Sequence, residues 1–116
     1  MRASKKIKRE FLKAFWEDEG SITYNGGLMA DQKSEIIINQ LIELHREFGL
    51  QIKKCKYKEY TGFMYKIYLP KNEESLKIFY RLGLFEKSIV THGKNIGRKK
   101  KEVLQDFLIN SARRHH

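Results

Sequence analysis

A chain of 116 residues with 24 Lys and Arg against 14 Asp and Glu, formal charge +10, has material for one hydrophobic core and too little for two. With 41% hydrophobic and 33% charged residues it is not a disordered polyelectrolyte, and its single cysteine, Cys55, excludes an internal disulfide or a thiolate metal cluster. So many cations on a small surface suit a polyanionic partner, although a Lys- and Glu-rich surface kept for solubility or heat tolerance gives the same count.

The basic residues Lys5, Lys6, Lys8 and Arg9 precede no apolar run of signal-peptide or membrane length, so an intracellular protein without a membrane partner is expected. His115 and His116 look like remnants of an expression tag and are given no function. From Lys5 to Glu19 the apolar residues Ile7, Phe11, Leu12, Ala14, Phe15 and Trp16 recur at helical spacing, and Gly20 ends the helix. Ser21 to Asn25 suggests a short strand that turns back through Asn25, Gly26 and Gly27, glycines and asparagine being suited to positive φ, into Leu28–Ala30.

Asp31 is the expected cap of a second helix whose stripe is Ile37, Leu41, Leu44 and Phe48, closed by Gly49. A second hairpin follows, Gln51 to Tyr60 and Phe63 to Leu69 around Thr61 and Gly62, and Pro70 ends it. A third helix starts at Asn72, where Glu73 and Glu74 suit the positive end of the dipole, and stops before Gly83. After a loop with Gly93 and Gly97, a last helix spans about Arg98 to Ala112. The expected class is α+β: one four-stranded antiparallel sheet, covered by helices on one face and open on the other, in a single domain spanning residues 1–116.

Two features carry chemistry. Alternation puts Lys54, Lys56 and Lys58 on one face of their strand; together with Met64, Lys66 and Tyr68 they are taken as an open cationic face with aromatic and apolar contacts, fit for phosphates and base edges or simply for solvent. The run Glu17, Asp18, Glu19, Gly20 sets three carboxylates against the negative end of a helix dipole. A hard divalent cation would offset their repulsion and would take the helix's unpaired carbonyls as further ligands; an ordinary exposed acidic turn is the plainer alternative. His45 and His92 have no spacing for a zinc site, and Trp16, Phe48, Phe79, Tyr80 and Phe107 fit core positions better than stacking platforms.

The run Phe11–Ile22, with its Phe15, Trp16, Glu17, Asp18, Glu19, Gly20 centre, resembles the LAGLIDADG signature of homing endonucleases and intron maturases, and the element order resembles the single-motif, αββαββα-type members from about Lys8 to Leu108. The resemblance implies a homodimer whose signature helices pair through Phe11, Ala14, Phe15 and Asp18, and a metal-dependent (Mg2+) staggered cut in a long pseudo-palindromic DNA site. It implies Glu19 as the catalytic metal ligand with Asp18 beside it, Lys99 as the basic residue near the phosphate, and DNA contacts from Ser21, Thr23, Asn25, Arg98 and the second hairpin. A non-catalytic binder of the same fold, acting on RNA or as a DNA-binding regulator, and one half of a two-motif enzyme, or a domain of a larger protein such as an intein, are the alternatives.

Overall fold

The structure, a computed structural model, describes residues 4–23 and 27–114, with side chains as far as residue 110. Helix α1 (Lys5–Glu19) begins where the Ser4 hydroxyl accepts the Ile7 N–H at 3.2 Å. It ends because Gly20 turns to extended backbone while its N–H still reaches the Trp16 carbonyl. A Cβ at position 20 would lie 2.6 Å from that carbonyl oxygen and closer still to the indole, so only glycine lets the chain pass directly from α1 into strand β1 (Gly20–Ile22).

Strand β2 (Leu28–Gln32) returns antiparallel to β1, with Ser21 opposite Met29. Their connection is fastened by Thr23 N–H to the Gly27 carbonyl and Gly27 N–H to Thr23 Oγ1, both 2.8 Å. The turn residues Asn25 and Gly26 lie outside the described residues. Asp31 is not a helix cap: its strand pairing with Lys66 holds it in β2, and Ser34 caps α2 (Glu35–Arg46) by accepting the Ile37 N–H at 3.3 Å. Gly49, at φ 82, and the N–H of Leu50, bonded to the His45 carbonyl at 3.1 Å, end that helix and drive Leu50 into the core.

Strands β3 (Lys53–Glu59) and β4 (Gly62–Leu69) form a hairpin with Glu59 opposite Gly62, and α3 (Glu73–Leu82) follows, capped by Asn72 and closed by Gly83 at φ 67. Helix α4 (Lys100–Arg114) starts two residues later than its sequence pattern suggests. The sheet order is β1-β2-β4-β3, all antiparallel, so β1 and β3 are edges.

One sheet face supplies Ile22, Leu28, Ala30, Tyr65, Ile67 and Leu69 to a core completed by the helices; the other face stays open. Trp16 is the hub of that core. Its ring meets Phe79 edge-on at 4.9 Å and Phe85 at 6.1 Å, and its Nε1–H donates to His45 Nε2 at 2.8 Å. That bond fixes the tautomer: His45 is neutral and its Nδ1–H donates to the Leu41 carbonyl at 2.6 Å. Burial lowers the imidazole from 6.5 to about 4, outweighing the opposite pull of that carbonyl.

Two stability predictions follow from this packing. Gly20→Ala is expected to cost about 1–3 kcal/mol in urea denaturation, because neither atom it strikes has room to yield. His45, depressed in the fold, is neutral in both states above pH 6.5, whereas below it the unfolded chain binds the proton first. Stability therefore falls by about 3 kcal/mol as pH drops from 6.5 to about 4. In His45→Gln, which keeps an acceptor for Trp16, the decline above pH 4.5 disappears from the denaturation series.

Candidate functional site

The three carboxylates at the end of α1 do three different things. Glu17 turns back under the segment after α3: Oε1 accepts the N–H groups of Glu86 and of Lys87, the latter at 2.9 Å, and Oε2 accepts that of Ser88 at 2.8 Å. The Ser88 hydroxyl in turn donates to the Glu17 carbonyl at 2.7 Å. Desolvation works to raise the Glu17 carboxyl, but the hydrogen bonds from Ser88, Lys87 and Glu86 together prevail and hold it at about 2. Lys13, one turn earlier, pairs with Glu86 and ties the same segment to α1.

Asp18 and Glu19 remain exposed, with no hydrogen bond or ion pair to any described residue. Two of the last helix carbonyls are taken, Trp16 O by the Gly20 N–H and Glu17 O by Ser88, and the adjoining Gly20 O accepts from Lys100 Nζ at 2.6 Å. The cost of an acidic helix end is thus offset by backbone amides and an ammonium. Among the described residues no three His, Cys, Asp or Glu side chains gather into a metal-holding group.

The cation held at this corner is Lys100. Because α4 begins at Lys100, Lys99 is left exposed, whereas Lys100 is half-buried against Gly20 with its ammonium 5.4 Å from the Phe85 ring centre. Burial lowers its pKa, and the charge of Glu17 pulls it back up. An open cleft of about 530 Å³ runs from this lysine between the free edge of β1 and the 90–95 loop, lined by Ser21, Thr23, Thr91, His92 and Asn95. Arg98, expected to face DNA, bonds internally to Asp106 at 2.5 Å and to Asn95 at 3.2 Å.

Along α1, Ile7, Phe11, Ala14 and Asp18 fall on one stripe at spacings of four, three and four, and all are exposed. Ile7 keeps 62% and Phe11 57% of its surface in solvent. Phe15, expected beside them, is half-buried and packs edge-on to Trp16 at 5.7 Å. A shallow apolar groove continues the stripe onto α2 through Phe11, Ile37, Leu41 and Leu44.

The hairpin lysines are not on the open face. Lys54 pairs with Ile67, Lys56 with Tyr65 and Lys58 with Phe63, and residues directly opposite in an antiparallel pair share a face. A two-residue turn forces this parity, so all three lysines lie on the helix side of the edge strand β3, where the helices stop short and leave them exposed. The open face carries Ser21, Met29, Asp31, Lys53, Cys55, Tyr57, Glu59, Met64, Lys66 and Tyr68. Of these, Lys53 and Lys66 are balanced by Asp31 and Glu59, so the face sums to zero charge and not to the cationic surface expected. Tyr57 donates to Asp31 at 3.0 Å under the Lys66 ammonium, and desolvation together with that carboxylate pushes its phenol up to about 12.

Of the sequence-derived candidates, the structure brings Asp18, Glu19, Ser21 and Thr23 to one corner and sets Met64, Lys66 and Tyr68 on the adjoining face; Asn25 lies outside the described residues. Ser88 and Lys100 were not anticipated, nor was the binding of Glu17 by backbone amides in place of a cation. His45 had a legible signal, being one residue from the Leu41–Leu44–Phe48 stripe on the buried side of α2. No family model and no curated protein matches this sequence.

Glu17→Gln removes an anion that three amides solvate and is expected to destabilise the chain by ~1–2 kcal/mol at neutral pH. The linkage sign is fixed by the depressed value: the native carboxylate adds stability above pH 4.5, and this is lost as pH falls toward about 2. Urea midpoints of the variant should therefore fall less steeply than those of the wild type below pH 4.5.

Proposed function

We propose that the chain is one half of a homodimeric, Mg2+-dependent DNA endonuclease of the LAGLIDADG kind. The observation that carries this reading is the stripe Ile7, Phe11, Ala14 on α1: apolar, unpartnered, and leading to the unpaired carboxylates of Asp18 and Glu19 beside an open sheet face. A second copy laid along that stripe buries it and brings two Glu19 side chains toward one axis. No helix among the described residues is long and apolar enough to cross a membrane.

The donors fit a hard divalent ion in kind, since Glu19 and Asp18 offer free carboxylate oxygens. In number they fit only when both copies contribute, because one chain gathers too few ligands. When bound, the metal supplies water activation and charge neutralisation at the leaving oxygen. The chain's own residues hold and aim: Glu19 is the ligand, Glu17 locks the helix end so that Glu19 keeps its direction, and Lys100 takes the basic role that the resemblance gives Lys99. Ser21, Thr23 and the outer residues Met64, Lys66 and Tyr68 meet the duplex.

A second reading, a nucleic-acid binder of this fold that does not cut, is favoured by the zero net charge of the outer sheet face, which lacks the field expected for tight duplex capture. Cleavage selection from a random DNA library with Mg2+ decides between them. On a selected site, Glu19→Gln is expected to lose at least about a hundredfold in cleavage rate while still binding. Phe11→Asp is expected to run as a monomer in light scattering and to lose cleavage with it. Salt-sensitive binding with no Mg2+-dependent product from the wild type would establish the second reading.

A further inference from the structure

The underside of the β3–β4 hairpin groups exposed lysines with exposed aromatic rings. Lys54, Lys56 and Lys58 alternate along an edge strand, successive members about 6.8 Å apart at the ~3.4 Å rise of an antiparallel strand, and all three are exposed on the side facing away from the open sheet face. Lys54 is engaged at one end, with Asn39 at 2.9 Å and Glu35 at 3.6 Å. Lys56 and Lys58 meet no carboxylate among the described residues. Instead the Lys56 ammonium stands 4.2 Å from the centre of the Phe63 ring, which is itself 55% exposed, and Tyr60 at the turn is fully exposed.

Lysines that only guard a sheet edge against pairing need no aromatic rings beside them, and an exposed phenyl ring under an ammonium is a poor choice for solubility. A row of cations with rings between and beyond them matches a polymer that alternates anion and flat base. A duplex hides its base faces in the stack, whereas an unpaired strand presents them. We propose that this hairpin underside binds a single strand of nucleic acid, with Lys56 and Lys58 on phosphates and Phe63 and Tyr60 under bases. Neither a lysine nor a phenyl ring reads the 2′-hydroxyl, so DNA and RNA strands are held alike. This surface is on the opposite side of the sheet from the duplex face and does not depend on the endonuclease reading.

The test is fluorescence anisotropy of the full chain with labelled oligo-dT and oligo-rU of equal length. Lys56→Gln with Lys58→Gln should weaken both at least about tenfold at moderate salt and lower the salt slope by roughly 0.7 per lysine. Phe63→Leu, which keeps every charge, should weaken both at least about fivefold. The matched control is Lys53→Gln with Lys101→Gln, which removes the same charge from the open sheet face and from α4, away from the hairpin underside, and should change affinity less than twofold. Equal loss in that control, undiminished binding in Phe63→Leu, or competition by polyglutamate as strong as by unlabelled oligo-dT would each overturn the proposal. Circular dichroism of each variant, all at exposed or half-buried positions, separates loss of binding from loss of fold.

Discussion

Trp16 is held from every side, and the rest of the molecule takes its directions from that. Its ring packs edge-on against Phe15, Phe79 and Phe85, its indole N–H ends on a buried neutral imidazole of α2, and its carbonyl receives the N–H of Gly20. The indole fixes the rotation of α1, because Leu12 and Trp16 must both face inward. It also fixes where α1 stops, because nothing larger than glycine passes the ring at position 20. Once rotation and end point are set, helical geometry leaves no freedom: Glu17 is turned toward the 86–88 segment, and the Ile7–Phe11–Ala14–Asp18 stripe is turned to solvent.

The acidic run then separates into structural and available charge. An anion at a helix C-terminus is unfavourable, and the fold answers with the three amides around Glu17 and the Lys100 ammonium on Gly20. This removes the electrostatic need for a cation at Glu17 without touching Asp18 or Glu19. Whatever the two exposed carboxylates serve, they stand on a helix end immobilised from behind, the arrangement a functional carboxylate needs if its direction is to be kept.

Much of the fold was legible because the signals were local. Helical periodicity, the Asn72 cap, the glycines at 49 and 83 and the alternation of β4 lie within a few residues of what they specify. The errors came where a partner distant in sequence decided. Asp31 has a capping side chain, yet ladder pairing with Lys66 claims it and leaves Ser34 to cap. The last helix begins at Lys100 because the preceding residues are drawn into bridges with 88–90, and the ammonium of Lys100 reaches the acidic corner. The lysines of β3 were misassigned for another reason. Polarity suggested the solvent face, although the parity of a two-residue turn already put them opposite Phe63, Tyr65 and Ile67; the edge strand has solvent on both sides, so polarity carries no information about its face.

The distribution of charge has a consequence for recognition. The +10 of the chain is not concentrated on the open sheet face, where two lysines meet two carboxylates; it is spread over the start of α1, the hairpin underside and the run 98–101. A field of that kind draws a polyanion toward the protein as a whole and gives little guidance about which face it meets. On the proposed reading, docking of a duplex on the open face comes from short-range contacts: Met29, Met64 and Tyr68 as apolar and aromatic surface, and Lys66 held over Tyr57 and Asp31 as a cation whose position is fixed by its neighbours. A positioned lysine in a neutral setting discriminates better than a dense basic patch, since a misplaced phosphate gains nothing from the surroundings and is repelled by Asp31 or Glu59. On that reading the neutral sheet face supplies selection and the basic periphery supplies attraction.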